Sequence, residues 1–144
     1  MTLALLPIGA AAASWGGCRD ADGRPVLDRP NPALDDVAVA NLDAQGDPII
    51  EYNPRWVLSV NPTTRRFLYL HECAHHALGQ LLGDGYFALA SEREADCWAT
   101  RAMVREGARL GDLRRVQQEL MNTPGDPSHL PGSRRALDLP ACLE

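Results

Sequence analysis

A helix-dominated α+β fold is predicted by three observations: short strand-like segments fill the first part of the sequence, a long apolar run at helical spacing follows them, and further helical segments occupy the remainder. The segments 37–42, 48–52 and 56–60 read as strands, punctuated by Asn53-Pro54 and Asn61-Pro62. From 63 to about 82, Phe67, Leu68, Leu70, Ala74, Leu78, Leu81 and Leu82 recur with a period near 3.6, which predicts one helix stopped by Gly83-Asp84-Gly85. Later helices are predicted from 88 or 91 to 106, from 110 to 121 and from 133 to 139, the first of these ending before Gly107. The stretch 18–36 holds Arg24-Pro25, Arg29-Pro30 and Asn31-Pro32 and reads as irregular. The expected architecture is a small sheet packed on the first long helix, which the second helix crosses.

With 144 residues, 45% hydrophobic and 23% charged, the chain has an ordinary globular composition, which excludes collagen-like, coiled-coil and disordered readings of the whole. Net charge is −5, and all 14 basic residues are arginines scattered along the sequence, so nucleic acid and anionic lipid are not expected partners. Residues 1–17 read as an export signal, with an apolar run over 3–13 and Ala11 and Ala13 placed as in an A-x-A cleavage site, although no Lys or Arg precedes the run. About 11 apolar residues broken by Pro7 are too few for a membrane span. The expected domain is therefore 18–144, secreted or in the periplasm or cell envelope.

Inside the long helix stands His71-Glu72-Cys73-Ala74-His75. At 100° per residue the two histidines fall about 40° apart on one face, close enough for both imidazoles to hold one Zn²⁺. Glu72 projects beside them, poised to reach a water held by that ion, which is the place of a general base. Cys73 lies about 200° from His71 and faces away from the metal, and His76 points about 100° away, toward a partly exposed position. Two histidines leave a catalytic zinc one protein ligand short. Leu78 and Leu81 occupy the positions where H-E-x-x-H-x-x-G-x-x-H would require Gly and His, so that pattern is excluded. Downstream, Ser91-Glu92-Arg93-Glu94-Ala95-Asp96 places Glu92 and Asp96 at i and i+4 on one helix face, which makes Glu92 the third-ligand candidate. Glu94 is the competing candidate, and a capping box with Ser91 is its preferred role. An ordinary solvated Glu-Arg-Glu run is the alternative for Glu92.

The pairing of His71-Glu72-x-x-His75 with Glu92-x-x-Ala95-Asp96 resembles the gluzincin metallopeptidases, and its wording is similar to the soluble envelope relatives of the CAAX prenyl protease. In that family a His-Pro pair often precedes an Arg by six residues; here His129-Leu130-Pro131-Gly132-Ser133-Arg134-Arg135 keeps the offset, with Leu130 replacing the Pro. Over about 53–139 the resemblance implies a minimal zincin fold and Zn²⁺ on His71, His75 and Glu92. It also implies that Asp96 takes the outer N–H of a ligating histidine, and that His129 or Arg135 borders the active site. The interval from His75 to Glu92 is short and membrane helices are lacking, which excludes an integral-membrane protease and argues against lipidated substrates.

The chemistry expected is metal-assisted hydrolysis of a peptide or protein substrate, with Zn²⁺ lowering the pKa of a bound water toward about 7 and Glu72 accepting its proton. His129, Arg135 and Tyr86 are the candidates to steady the oxyanion, each with an ordinary surface or packing role as its alternative. Residues 49–52 or 56–59 are the expected sheet edge for an extended substrate. The main rival is a catalytically silent module whose zinc only joins two helices. A zinc hydrolase with a cysteine ligand, hinted at by Gly17-Cys18, is a third reading. Cys18, Cys73, Cys97 and Cys142 form an even set that, with export, predicts two disulfides. Because the metal argument draws the two ligand helices together, the preferred pairs are Cys73 with Cys97 and Cys18 with Cys142; four buried free thiols are the alternative.

Overall fold

The computed structural model describes residues 16–82, 89–122 and 132–144. Three strands, β1 (Leu27–Pro30), β2 (Ala38–Leu42) and β3 (Pro48–Tyr52), are followed by α1 (Pro54–Ser59), α2 (Pro62–Ala77), a 3₁₀ turn at Gln80–Leu82, α3 (Leu89–Arg105), α4 (Leu110–Leu120), α5 (Gly132–Asp138) and a 3₁₀ turn at Leu139–Leu143. This is the helix-dominated α+β architecture that the sequence predicts, with the small sheet against α2. Residues 1–15 of the segment 1–17 expected to be an export signal, the expected Gly83-Asp84-Gly85 stop, Tyr86 and His129 lie outside the described residues.

The sheet has the order β1-β3-β2, with β1 parallel and β2 antiparallel to β3. A tight turn joins β2 to β3: the Asp43 carboxylate accepts from the backbone N–H of Gln45 and of Asp47, both at 2.9 Å, and Gly46 takes φ 81°. β1 falls inside the stretch expected to be irregular. Pro30 at its end suits an edge strand, where a missing N–H breaks no ladder bond on the outer side.

The segment 56–60 is helical in its main part, contrary to the strand expected there. Asn53 caps α1 by accepting from Arg55 N–H at 3.0 Å, with Pro54 behind it in the first turn. The same device opens α2, where Asn61 accepts from Thr63 N–H at 2.8 Å ahead of Pro62. Each Asn-Pro pair is thus a helix start, and the first also ends a strand. At its other end α2 stops at Ala77, five residues before the expected boundary, because Gly79 turns left-handed at φ 68°. Consequently Gln80 does not continue the helix but folds back beside it.

The core joins Phe67, Tyr69, Leu70 and Cys73 of α2 to Ala99, Ala102 and Met103 of α3, Val116 and Leu120 of α4, Ile50 of β3 and Leu139. On α3 the small residues Ala95, Ala99 and Ala102 recur at helical spacing and are buried. With no bulk beyond a methyl group along that line, α3 approaches α2 closely, and that approach sets the functional side chains opposite one another. His76, expected to be partly exposed, is buried and donates through Nε2 to Ile49 O at 2.8 Å, tying α2 to β3.

The disulfides are Cys18–Cys73 and Cys97–Cys142, which corrects the expected pairing. Cys73 points away from the ligand face of α2, and since α3 covers that face, Cys73 meets the N-terminal segment instead. Cys97 correspondingly meets the final 3₁₀ turn. Cys18 is thereby removed as a metal ligand, and with it the cysteine-ligand reading. The bridges span 55 and 45 residues, for which loop-closure entropy alone gives about 4 kcal/mol each. Removing the second bridge with Cys97→Ala and Cys142→Ala is expected to cost about 2–4 kcal/mol, read from the urea midpoint at unchanged slope.

Candidate metal centre

Three side chains predicted from the sequence converge. His71 and His75 project one turn apart from α2, and Glu92 reaches them from the first turn of α3; all three are buried, and one donor atom from each lies within 4.8 Å of the others. His71 Nε2 and His75 Nε2 are 3.1 Å apart, Glu92 Oε2 lies 3.1 Å from His71 Nε2, and Glu92 Oε1 lies 3.2 Å from His75 Nε2. A tetrahedral zinc with bonds of 2.0–2.2 Å separates its ligand atoms by about 3.3 Å, so the spacing found is close to that of a ligand set.

The outer ring nitrogens strengthen that fit. His71 Nδ1 lies 2.7 Å from Asp96 Oδ1, and His75 Nδ1 lies 2.7 Å from Gln80 Oε1. Both partners are acceptors, so in the neutral rings the protons sit on Nδ1 and the Nε2 lone pairs face inward. Two lone pairs and a carboxylate crowd one point, an arrangement that a cation relieves. Among the described residues, the buried carboxylates here are Glu72, Glu92 and Asp96, and the buried cation is Arg135. With these groups in their charged forms and both imidazoles neutral, as metal ligation requires, the excess equals the charge of one divalent ion. The donor set and its charge therefore fit a metal ion.

Asp96 takes the role that the resemblance implies. Burial alone would raise its carboxyl, but the His71 hydrogen bond and the Arg135 charge hold it below the usual range. Arg135 approaches Asp96 with two nitrogens, Nε to Oδ2 at 3.0 Å and Nη2 to Oδ1 at 2.8 Å, while its guanidinium carbon stands 5.8 Å from the Phe67 ring centre. Arg135 is buried and holds Asp96, and its Nη2 also lies 3.4 Å from His71 Nδ1, so the residue expected to steady the oxyanion stands at the centre as a partner of Asp96.

Glu72 is buried and splits its two oxygens. Oε2 accepts from the backbone N–H of Ala40 on β2 at 2.8 Å, and Oε1 lies 4.0 Å from His71 Nε2. One oxygen is anchored and the other turned toward the metal ligands. Glu94 forms no capping box with Ser91, since α3 already begins at Leu89.

Sequence reasoning did not find Gln80, the Ala40 N–H, or the grip of Arg135 on Asp96. For Gln80 the signal was Gly79, a left-handed stop that brings the next residue back toward His75. The Ala40 N–H comes from a distant segment with no pattern to mark it, and the His129-to-Arg135 offset marks Arg135 without showing that it meets Asp96. Compared with protein-family models, with curated proteins and with solved structures, the chain matches none.

Two outcomes follow from this geometry. In the metal-free protein, burial lowers the affinity of His71 for a proton, but the Asp96 and Glu92 contacts more than offset it and raise the pKa to about 9. Below that pH a metal must displace a proton, so apparent zinc affinity is expected to rise about tenfold per unit from pH 6 to 8 and to level off near 9, as measured by chelator competition. Separately, Arg135→Met removes the guanidinium from buried Asp96 and leaves His71 as its remaining partner, and is expected to cost about 3 kcal/mol in denaturant unfolding. Adding Asp96→Asn should cost less than the sum of the two single changes.

Proposed function

We propose that the chain is a zinc-dependent peptide hydrolase in which Glu72 is the general base and His71, His75 and Glu92 hold the ion. The observation that carries this reading is the placement of Glu72: a buried carboxylate stands beside three convergent metal-ligand atoms, with one oxygen, Oε1, turned toward them. A bound zinc would act as a Lewis acid, polarising the scissile carbonyl and making water acidic enough to attack at neutral pH. Glu72 accepts the proton of the attacking water and delivers it to the leaving nitrogen. Ala40 N–H keeps the carboxylate aimed, and Asp96 and Arg135 keep His71 aimed.

The strand that presents Ala40 also supports a peptide substrate. β3 is central and the segment 56–59 is helical, so neither expected edge is one; the edge facing the site is β2. In an antiparallel pair, alternate residues turn their N–H and C=O outward. Because Ala40 N–H reaches Glu72, Ala40 C=O lies on the outer side too. An extended peptide laid against β2 donates an N–H to Ala40 C=O, and its own carbonyl, which finds Ala40 N–H already engaged, falls beside Glu72. Two disulfides support an oxidising location, secreted or within the cell envelope. Among the described residues no helix is long and apolar enough to cross a membrane.

One observation favours the silent-module reading, in which Glu72 serves only to hold β2: its hydrogen bond to Ala40. Glu72→Gln separates the two readings, because an amide oxygen still accepts that bond but the amide cannot take a proton. Elemental analysis is expected to find about one zinc per chain in both proteins. Cleavage of a generic unfolded protein is expected in the wild type and to fall at least about 100-fold in the variant. Zinc present with equal cleavage, or with none in either protein, overturns the proposed role of Glu72.

A further inference from the structure

Two metal ligands on one helix need their outer nitrogens protonated, and the structure solves this differently for each. His71 faces a carboxylate, which only accepts, so its proton position is fixed. His75 faces the side-chain amide of Gln80, which has two ends. With the oxygen toward Nδ1, the ring keeps its proton there and presents Nε2 to a metal. With the NH₂ toward Nδ1, the ring moves its proton to Nε2 and loses the ligand.

The end presented is set from α3. Gln80 Nε2 donates to Glu94 Oε2 at 3.1 Å, while Gln80 Oε1 lies 2.7 Å from His75 Nδ1. Turning the amide over would bring its oxygen against the carboxylate and its NH₂ against a ring N–H, so both contacts resist it. Glu92 and Glu94 thereby act on the two ring nitrogens of the same histidine, Glu92 directly at Nε2 and Glu94 through Gln80 at Nδ1. Gln80 is half-buried and Glu94 is exposed, so nothing in core packing calls for this chain of contacts.

We propose that Gln80 and Glu94 form a positioning relay that keeps the His75 proton on Nδ1, which makes the exposed Glu94 a determinant of metal affinity. The inference rests on His75 being a metal ligand, and its test is built to fail separately from that reading. The full oxidised chain is prepared as wild type, Gln80→Leu, Glu94→Ala, and the double exchange Gln80→Glu with Glu94→Gln. The exchange keeps an acceptor toward His75 and a donor between the two side chains. Long-range proton–nitrogen NMR of the zinc-free proteins reports the His75 tautomer, and chelator competition reports zinc affinity.

The wild type is expected to show the Nδ1–H form. Gln80→Leu is expected to give mixed tautomers and zinc binding about 10–100-fold weaker, with Glu94→Ala changed in the same direction but less. The double exchange is expected to restore the Nδ1–H form and most of the affinity, which loss of packing at these positions would not allow. Wild-type tautomer and affinity in both single variants, or a double exchange no better than Gln80→Leu, overturns the relay. If the wild type binds no zinc, the metal reading fails, and the tautomer comparison alone decides whether the relay holds.

Discussion

The buried carboxylate of Asp96 is the contact on which the rest of the centre depends. It stands on α3, fixes His71 of α2 through one oxygen, and takes the guanidinium of Arg135 from α5 through both. Three helices therefore meet at one side chain. A lone carboxylate so deeply buried would be protonated and would lose its hold on the imidazole; the cation opposite keeps it charged, and its charge keeps the cation tolerable in a site lined by Phe67. Neither partner makes sense in the interior without the other.

The helix approach that brings these groups together is a packing effect. The alanine line on α3 gives up apolar area, since each methyl group buries far less than a leucine side chain, and in exchange lets the α2 and α3 backbones come near enough for a glutamate to meet two imidazoles. Phe67 and Leu70 on α2 and Met103 on α3 add larger apolar side chains to the same core, and Phe67 stands on the stripe that carries His71 and His75. The two disulfides act on the outer sides, one joining α2 to the N-terminal segment and the other joining α3 to the last 3₁₀ turn.

What the sequence revealed and what it hid divide along physical lines. The ligand triad and Asp96 were legible because they lie at i and i+4 on helices, where spacing alone fixes which side chains share a face. The strands within 37–42 and 48–52 were legible as short strand-like runs, the second closed by Asn53-Pro54. β1 was not, because a four-residue edge strand ending in Pro30 has no pattern of its own and exists only by pairing with β3. The first Asn-Pro pair reads as punctuation between strands in the sequence and is a helix cap in the structure, since the same dipeptide breaks one element and opens the next. The disulfide pairing was lost for a different reason: bringing two helices together says which faces meet, and the cysteines were on other faces. Gln80, Ala40 and the contact of Arg135 with Asp96 depend on chain segments that meet only in three dimensions.

The hydrogen bond from Ala40 to Glu72 has one more consequence. An open sheet margin offers unpaired peptide groups to any passing strand, and proteins discourage such pairing by pointing a charged side chain inward at the margin. Here that guard and the proposed reactive carboxylate are a single residue. Unwanted β-association with another copy of the chain is therefore opposed at the spot proposed for the substrate, so sociability of the strand and readiness of the proposed site are balanced by one side chain.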